Sequence, residues 1–437
     1  MSWGDRSHAR GQSLGAAPRR FRQRAGLWAV AALTITFVAV GPTRTATALP
    51  RMSLTAGSPC ATCHVSPQGG GARNDIGWGM ALDTAIFTPA AFKKLETNGF
   101  LDGKVMLGLD SRLQMARLGR PSAAAKAEEG LFDGFTKAQK PDLVVIPMQM
   151  QPALTLQPVH WLALTGSYNF STAWSIYPGQ SPFDAQVILH GDPMLPTVRV
   201  GMIQPTIGIR HDDHTMLLRA DALEPRRPLI PAGYAEWGGE LEWQPVSWLR
   251  LDAGGFVNSN LRAASVARAA DPVRASDDGL VWSARAMILP QWMSDGMDQS
   301  VNAWAGISAL GSGKLLTAQV FAAVGRNEWG SLQIEASMGR GADGYETLAL
   351  MALASYTYRE WLVFEARAEQ ATASAEAGSG ATREGLTRQF VLGAQIFPIP
   401  YIELRPEYRL IRARESLSGS SSEYILGQYT LQLHTYF

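Results

Sequence analysis

The chain has 437 residues, and only 18% of them are charged, against roughly 25% in an average soluble domain. Apolar residues reach 46%, which excludes an intrinsically disordered chain. The formal net charge of +1 gives no electrostatic reason to expect nucleic acid as a partner. Two cysteines cannot build a disulfide-rich scaffold, and the 43 glycines and 13 tryptophans favour one large β domain or several small ones.

The N-terminus has the three parts of a secretory signal peptide. Basic residues within 19–24 precede an apolar run over 26–40, and the small residues of 46–48 form a cleavage site. We expect cleavage after Ala48, so that residues 1–48 are the signal peptide and the mature chain is exported. An N-terminal anchor helix is the alternative.

Both cysteines lie in the run Cys60-Ala61-Thr62-Cys63-His64. The pattern C-x-x-C-H is the attachment site of a c-type haem. On a helical turn, positions i, i+3 and i+4 share one face, so two sulfurs and an imidazole can meet the same macrocycle. We therefore expect one covalent haem c, with thioether bonds at Cys60 and Cys63 and with His64 as the proximal iron ligand.

Three other uses of the cysteines have less support. A thioredoxin-like C-x-x-C needs a surrounding βαβ pattern, which the flanking sequence does not show. A structural zinc site needs four ligands, and no second Cys/His pair follows at finger spacing. A disulfide across two intervening residues would be a strained closure.

The distal iron ligand has several candidates. Met80 is our first expectation because it is close to the motif in sequence, although a methionine ordinarily fills gaps in a core. The other candidates are Met52, Met106, His160, His190, His211 and His214. The run from His211 to His214, with two aspartates between the histidines, has the residue types of a transition-metal site or of a polar loop end.

Residues 49–103 are expected to form the haem segment, mostly helix and coil. About 55 residues bury only a modest fraction of their surface, so this segment can hold a haem but hardly enclose it. We expect the remaining wall of the haem site to come from the rest of the chain, residues 104–437.

Residues 104–437 alternate in character. In the stretch 401–410, charged side chains at odd positions alternate with mostly apolar ones, which is the period of a β-strand with two different faces. About sixteen such stretches occur, and an even number suits a closed transmembrane β-barrel with a polar lumen. They start near residues 104, 143, 161, 185, 197, 233, 247, 280, 301, 314, 328, 347, 361, 387, 401 and 423. We predict an all-β, antiparallel barrel, with a soluble β-sandwich array as the alternative.

The connections support a barrel in the outer membrane. Short connections alternate with long ones, as expected of periplasmic turns and outer loops. The long ones are 119–142, 172–184, 204–232, 258–279 and 371–386, and the exceptions are 290–300 and 311–313. Tryptophans cluster beside the short turns, where an interfacial girdle lies. The alternating C-terminal stretch ending in Phe437 is typical of the assembly signal of such barrels.

Charged residues on the polar strand faces predict a lumen of mixed charge. Glu236, Glu240 and Glu242 share one face of a stretch, and Arg405 and Arg409 share another with glutamates. An ion-pair lattice that rigidifies the barrel is the first interpretation. A path for ions, or a metal contact near the haem, is the second.

With a signal peptide, one C-x-x-C-H near the mature N-terminus and sixteen alternating stretches, the chain resembles the fused outer-membrane monohaem cytochrome c–porins. The resemblance covers nearly all of the mature chain as architecture, and only the haem motif is specific at residue level. It implies thioethers at Cys60 and Cys63 and proximal ligation by His64. The best-known members are implicated in oxidising extracellular ferrous iron. The flank 49–59 keeps Pro50 and Gly57 but little else of the iron oxidisers' pattern.

The resemblance implies electron transfer across the outer membrane by a haem at the periplasmic side of the barrel or inside its lumen. Such a protein would be an oxidoreductase of the ferrous-iron-oxidising class. Its partners would be a periplasmic cytochrome or other electron carrier, outer-membrane lipid and extracellular metal ions, with no role for nucleic acid. The alternative is a diffusion porin with a haem-bearing plug.

Overall fold

The structure is a computed structural model of the chain, and the described part of residues 40–437 forms one compact unit. It describes Leu54, residues 60–93 and most of 99–437. Within 99–437, the gaps are 119–142, 172–178, 191–194, 210–215, 219–228, 232, 269–278, 290, 293–300, 327–328, 342–343, 377–381 and 418–419. The signal peptide expected over residues 1–48 lies outside the described residues.

In the described part of the chain, eighteen strands form one antiparallel sheet that closes on itself. They are β1 Gly99–Phe100, β2 Val105–Leu118, β3 Leu143–Val159, β4 Leu162–Tyr168, β5 Phe183–Leu189, β6 Thr197–Ile203, β7 Glu236–Val246, β8 Leu249–Phe256, β9 Val281–Ile288, β10 Gln291–Trp292, β11 Val301–Gly311, β12 Leu316–Arg326, β13 Gly330–Arg340, β14 Glu346–Arg359, β15 Leu362–Glu376, β16 Thr382–Ile399, β17 Ile402–Leu417 and β18 Ser420–Tyr436. Sixteen of them make the barrel wall. β18 pairs with β2 and β9 pairs with β11, while β1 and β10 are two-residue additions. The predicted fold class is confirmed.

The strands turn their apolar residues outward. On β13, Leu332 and Ile334 are exposed, whereas Gln333 and Glu335, which alternate with them, are buried. The same alternation runs around the wall, with polar and charged side chains on the inner face. Polar inside and apolar outside is the arrangement of a transmembrane β-barrel, because the lipid solvates the outer face.

The two rims differ in the length of their connections. One rim, here called the short-turn rim, has tight turns such as 160–161, 247–248, 360–361 and 400–401, and the wall begins and ends there. The opposite rim, the long-loop rim, has the connections 119–142, 169–182, 204–235 and 257–280. Exposed tryptophans lie in the short turns, as the sequence predicted. They include Trp161, Trp248 and Trp329.

One predicted loop is wrong. The stretch 371–386 is mostly strand, since β15 continues to Glu376 and β16 begins at Thr382, with Ala373 paired to Gly385. Its alanines, serines and threonines differ little in hydropathy, so the alternation is weak in the sequence. Backbone pairing to neighbouring strands supplies the order that hydropathy does not indicate.

Four helices are described: α1 Cys60–Cys63, α2 Asp75–Asp83, α3 Ala90–Lys93 and α4 Asn260–Arg268. Asn74 caps α2, because its side-chain oxygen accepts a hydrogen bond of 3.0 Å from the Gly77 amide. None of the helices in the described part of the chain has the length and apolar character to cross a membrane.

The described parts of the connection 204–235 lie in the lumen. The Gly208 amide donates to Ser308 Oγ at 2.7 Å, and the Leu217 amide donates to Glu369 Oε1 at 3.0 Å on the far wall. Ile207 and Leu217 pack there in an apolar cluster with residues of the wall. The barrel therefore has an internal core near the long-loop rim.

Candidate functional site

Cys60, Cys63 and His64 lie on one helical turn, as the spacing predicted. α1 contains both cysteines, and the His64 amide continues the turn by donating to the Cys60 carbonyl at 2.8 Å. Cys60 is buried and Cys63 is half-buried, and neither forms a disulfide. Two sulfurs and an imidazole are thus presented by five consecutive residues.

α2 packs directly on this turn. The Asn74 amide donates to the Cys63 carbonyl at 3.1 Å, and a Cβ added to Gly77 would come 2.2 Å from the same oxygen. Only glycine allows this approach of two backbones. As a result, Met80 Sδ lies 3.4 Å from Cys63 Sγ.

The surroundings of Cys63 favour the protonated thiol. Burial raises the pKa of Cys63 above its ordinary value, and the nearby Arg73 guanidinium opposes that rise. A buried thiol with little thiolate is a poor nucleophile until its environment changes.

The start of the segment is held by apolar contacts inside the barrel. Leu54 and Cys60 belong to a buried cluster with Met287, Trp304 and Phe321 from β9, β11 and β12. The Asn302 side chain also donates to the Leu54 carbonyl at 2.8 Å. The barrel thus contacts the segment at Leu54 and Cys60, and the expectation that it supplies the wall of a haem site stays a prediction.

Gln68 joins the segment to charged groups of the lumen. Its amide nitrogen donates to Glu242 at 2.6 Å and to Asp252 at 3.1 Å, and its oxygen accepts from Arg285 at 3.1 Å. Arg285 also pairs with Asp252 at 2.9 Å, and Arg250 pairs with Glu242. These contacts match the ion-pair lattice that the sequence predicted, and Gln68 is fitted into it.

Aromatic residues hold α2 at the short-turn rim. The rings of Trp78 and Tyr401 have centroids 4.3 Å apart, and Phe437 meets Trp78 edge-on at 6.1 Å. The Arg73 guanidinium lies 4.4 Å from the centre of the Tyr436 ring. Sequence reasoning did not identify Tyr401, because its importance comes from a contact across 323 positions of the chain.

The donor set fits a covalently held haem. Two thiols at C-x-x-C spacing can form thioethers. An imidazole and a methionine thioether, the groups that His64 and Met80 carry, are iron ligands in cytochromes c. Gly71 and Gly79 both border open space, since an added Cβ would meet no neighbouring atom within 4 Å. These two glycines therefore leave open space beside the cysteine motif, where a ligand could lie.

A polar cavity of about 110 Å³ lies between the segment and the wall formed by β3 to β6. Its lining combines the Gly69–Ala72 backbone with amide and charged side chains. Among them are Gln149, Gln151, Asp184, Gln186, Arg199 and Gln204.

The other candidate ligands are distributed differently. Met106 is buried in a cluster with Val65 and Ala72, and His160 and His190 lie in connections at the short-turn rim. Met52, His211 and His214 lie outside the described residues, so the predicted metal site of 211–214 stays a prediction. Among the described side chains, no group of three or more His, Cys, Asp or Glu residues could hold a metal ion.

Comparison with known proteins returned similar structures only. No protein-family model matches the sequence, and no curated protein matches it. The outer-membrane channel DcaP of Acinetobacter baumannii is 11% identical with a TM-score of 0.48, over 81% of this chain and 100% of that one. In-vitro folded OmpT of Vibrio cholerae is 11% identical with a TM-score of 0.45, over 76% and 97%. OccK2 of Pseudomonas aeruginosa, solved with glucuronate, is 13% identical with a TM-score of 0.38, over 78% and 100%. These are likenesses of barrel architecture.

Proposed function

We propose that this chain is an outer-membrane barrel whose segment 49–103 carries one covalent haem c and transfers electrons across the membrane. Cys60 and Cys63 would form the thioethers, His64 would be the proximal ligand and Met80 the distal one. One observation carries the proposal: these donors lie together on a segment that the inner face of the barrel holds.

A bound haem supplies reversible one-electron chemistry at its iron. The protein's own residues would set the conditions for that chemistry. Leu54, Trp304 and Phe321 exclude water from the side of Cys60, and burial of this kind is one way in which a protein tunes a reduction potential. Gln68 and Trp78 hold the segment at two separate points, in the lumen and at the rim.

The orientation of the barrel in the membrane follows from its rims. Short turns of outer-membrane barrels face the periplasm. With this orientation, the described segment lies at the periplasmic half of the lumen, and a periplasmic cytochrome or other carrier would exchange electrons at the short-turn rim. An outside donor would approach from the long-loop rim, and ferrous iron is the first donor to test because the best-known members of the family that the chain resembles are implicated in oxidising it.

A diffusion porin with a haem-bearing plug is the second candidate. The barrel framework and the polar cavity beside β3 to β6 favour it, because a small hydrophilic solute could pass where water-sized space already exists. The described residues of 204–235 inside the lumen, together with the segment at the opposite end, favour the electron conduit, since both reduce the open cross-section of the lumen.

Two measurements separate these functions. Redox titration of the haem spectrum in purified, full-length protein, with and without ferrous iron, should show reduction by iron if the conduit proposal is right. Liposome swelling with small sugars should show little solute entry for a conduit and rapid entry for a porin. If the liposomes swell rapidly and no external donor reduces the haem, the electron conduit is wrong and the diffusion porin takes its place.

The Cys60→Ser, Cys63→Ser double variant tests the cofactor itself. It should contain no covalent haem, because no thioether can form. The barrel should still close, since β18 pairs with β2 independently of the motif, and heat-modifiable migration on a gel measures closure. Covalent haem in the double variant would disprove the assignment of the cysteines.

A further inference from the structure

Tyr401 has a backbone conformation that its turn does not require. It is the second residue of the two-residue turn between β16 and β17, after Pro400, and its φ is +64°. Glycine and asparagine adopt this left-handed region readily, whereas a bulky residue there is strained. The two-residue turns 160–161, 247–248 and 360–361 on the same rim contain no residue with positive φ.

The strained conformation directs the ring of Tyr401 onto the segment. The ring is buried, with 4% of the residue exposed, and packs on Trp78 and on Phe92 with centroids 4.3 and 5.8 Å away. The Tyr401 hydroxyl donates to the Trp78 carbonyl at 3.4 Å. Backbone strain persists only where the surrounding contacts hold the residue in its strained conformation, and such residues are concentrated at functional sites.

We propose that Tyr401 is the positioning residue that fixes α2 on the barrel rim and thereby sets the place of Met80 beside the cysteine motif. Trp78 and Met80 are two residues apart on α2, and Gly77 of the same helix contacts the Cys63 carbonyl. A shift of α2 therefore moves Met80 relative to Cys63. The consequence for iron ligation rests on the proposed function, while the docking of α2 does not.

The test separates the effect of losing the aromatic ring from the effect of changing the turn. Tyr401→Asn and Tyr401→Gly both suit a left-handed φ, so the turn should be retained or improved while the ring contact is lost. Tyr401→Phe keeps the ring and should restore the native behaviour. Trp329→Asn is the matched control, because it removes an exposed rim aromatic whose ring contacts Arg326 in its own hairpin.

Trypsin cleavage after Arg73, in the full-length protein in detergent, reports the docking of α2 without any haem. Cleavage should be about tenfold faster in Tyr401→Asn and Tyr401→Gly. The free energy of a buried aromatic contact is large enough to change the equilibrium between docked and undocked α2 by about that factor. The heat-modifiable band should be unchanged in every variant. Unchanged cleavage with a retained barrel would overturn the proposal.

In haem-loaded protein, the same two variants should weaken the absorption band of methionine–iron ligation and shift the midpoint potential, while Tyr401→Phe and Trp329→Asn should not. Faster cleavage with an unchanged band would overturn the part of the proposal that concerns Met80. If the protein contains no haem at all, the function proposed above fails, and the cleavage result still decides whether Tyr401 docks α2.

Discussion

Gly77 and Cys63 are in such close contact that a single methyl group would separate them. A Cβ at Gly77 would come 2.2 Å from the Cys63 carbonyl oxygen, whereas a Cβ at Gly79 of the same helix would meet nothing within 4 Å. The two glycines are two residues apart, and only one of them is needed for packing.

Gly77→Ala should therefore loosen α2 from the cysteine motif at a cost of about 1–3 kcal/mol, the range for overpacking. Gly79→Ala is the matched control and should be neutral or slightly stabilising, because alanine favours helix more than glycine does. The rate of trypsin cleavage after Arg73 measures the difference. Equal rates in the two variants would contradict the observed packing.

Gln68→Glu should release the segment from the lumen. The new carboxylate would lie against Glu242 and Asp252, where the native amide nitrogen donates two hydrogen bonds. Loss of bonds to charged groups costs about 1.5–3 kcal/mol each, and the like charges add repulsion. Hydrogen exchange of residues 60–83, followed by mass spectrometry, should show faster exchange.

The control for that experiment is Gln244→Glu on the same strand as Glu242. Gln244 donates to the Ser247 carbonyl of its own turn and should leave exchange in the segment unchanged. Slow exchange in Gln68→Glu would mean that Leu54 and Trp78 suffice to hold the segment.

His434 lies on β18 and contributes to the seam of the barrel, where β18 pairs with β2. Its Nδ1 lies 2.9 Å from Glu403 and its Nε2 lies 3.2 Å from Asp110. His434→Phe would remove its contacts with buried Glu403 and half-buried Asp110, and a hydrogen bond to a charged group is worth about 1.5–3 kcal/mol. The temperature at which the folded band disappears from a gel should fall, while His190→Phe, outside the seam, should have little effect.

The thiol of Cys63 should react slowly in the folded, haem-free protein. Because burial raises its pKa, the thiolate fraction at any pH below the folded pKa is smaller than in the unfolded chain. In a Cys60→Ser background, the pH profile of iodoacetamide alkylation should be displaced upward relative to the profile in urea. Arg73→Ala should displace it further, since the Arg73 charge lowers this pKa. Coincident profiles would contradict the burial of the thiol.

Many features of this protein follow from local sequence. The spacing of Cys60, Cys63 and His64 predicted one helical turn, since three positions at i, i+3 and i+4 share a face whatever surrounds them. Sixteen wall strands followed from alternation, because a membrane requires apolar residues outside wherever the strand faces lipid. The loop predicted at 371–386 was wrong where alternating small residues had too little contrast in hydropathy.

The sequence by itself therefore determined the strand period, the order of the strands in the barrel and the helical turn of the C-x-x-C-H motif, because these depend on neighbours within a few residues. Only the tertiary structure decided that Gln68 lies between Glu242 and Asp252, and that Tyr401 adopts a left-handed φ against Trp78. Such contacts join positions 174 to 323 residues apart, and no periodicity or composition records which distant residues meet. Closure of the barrel brings them together, since it encloses the segment among inward-facing side chains from strands far apart in the chain.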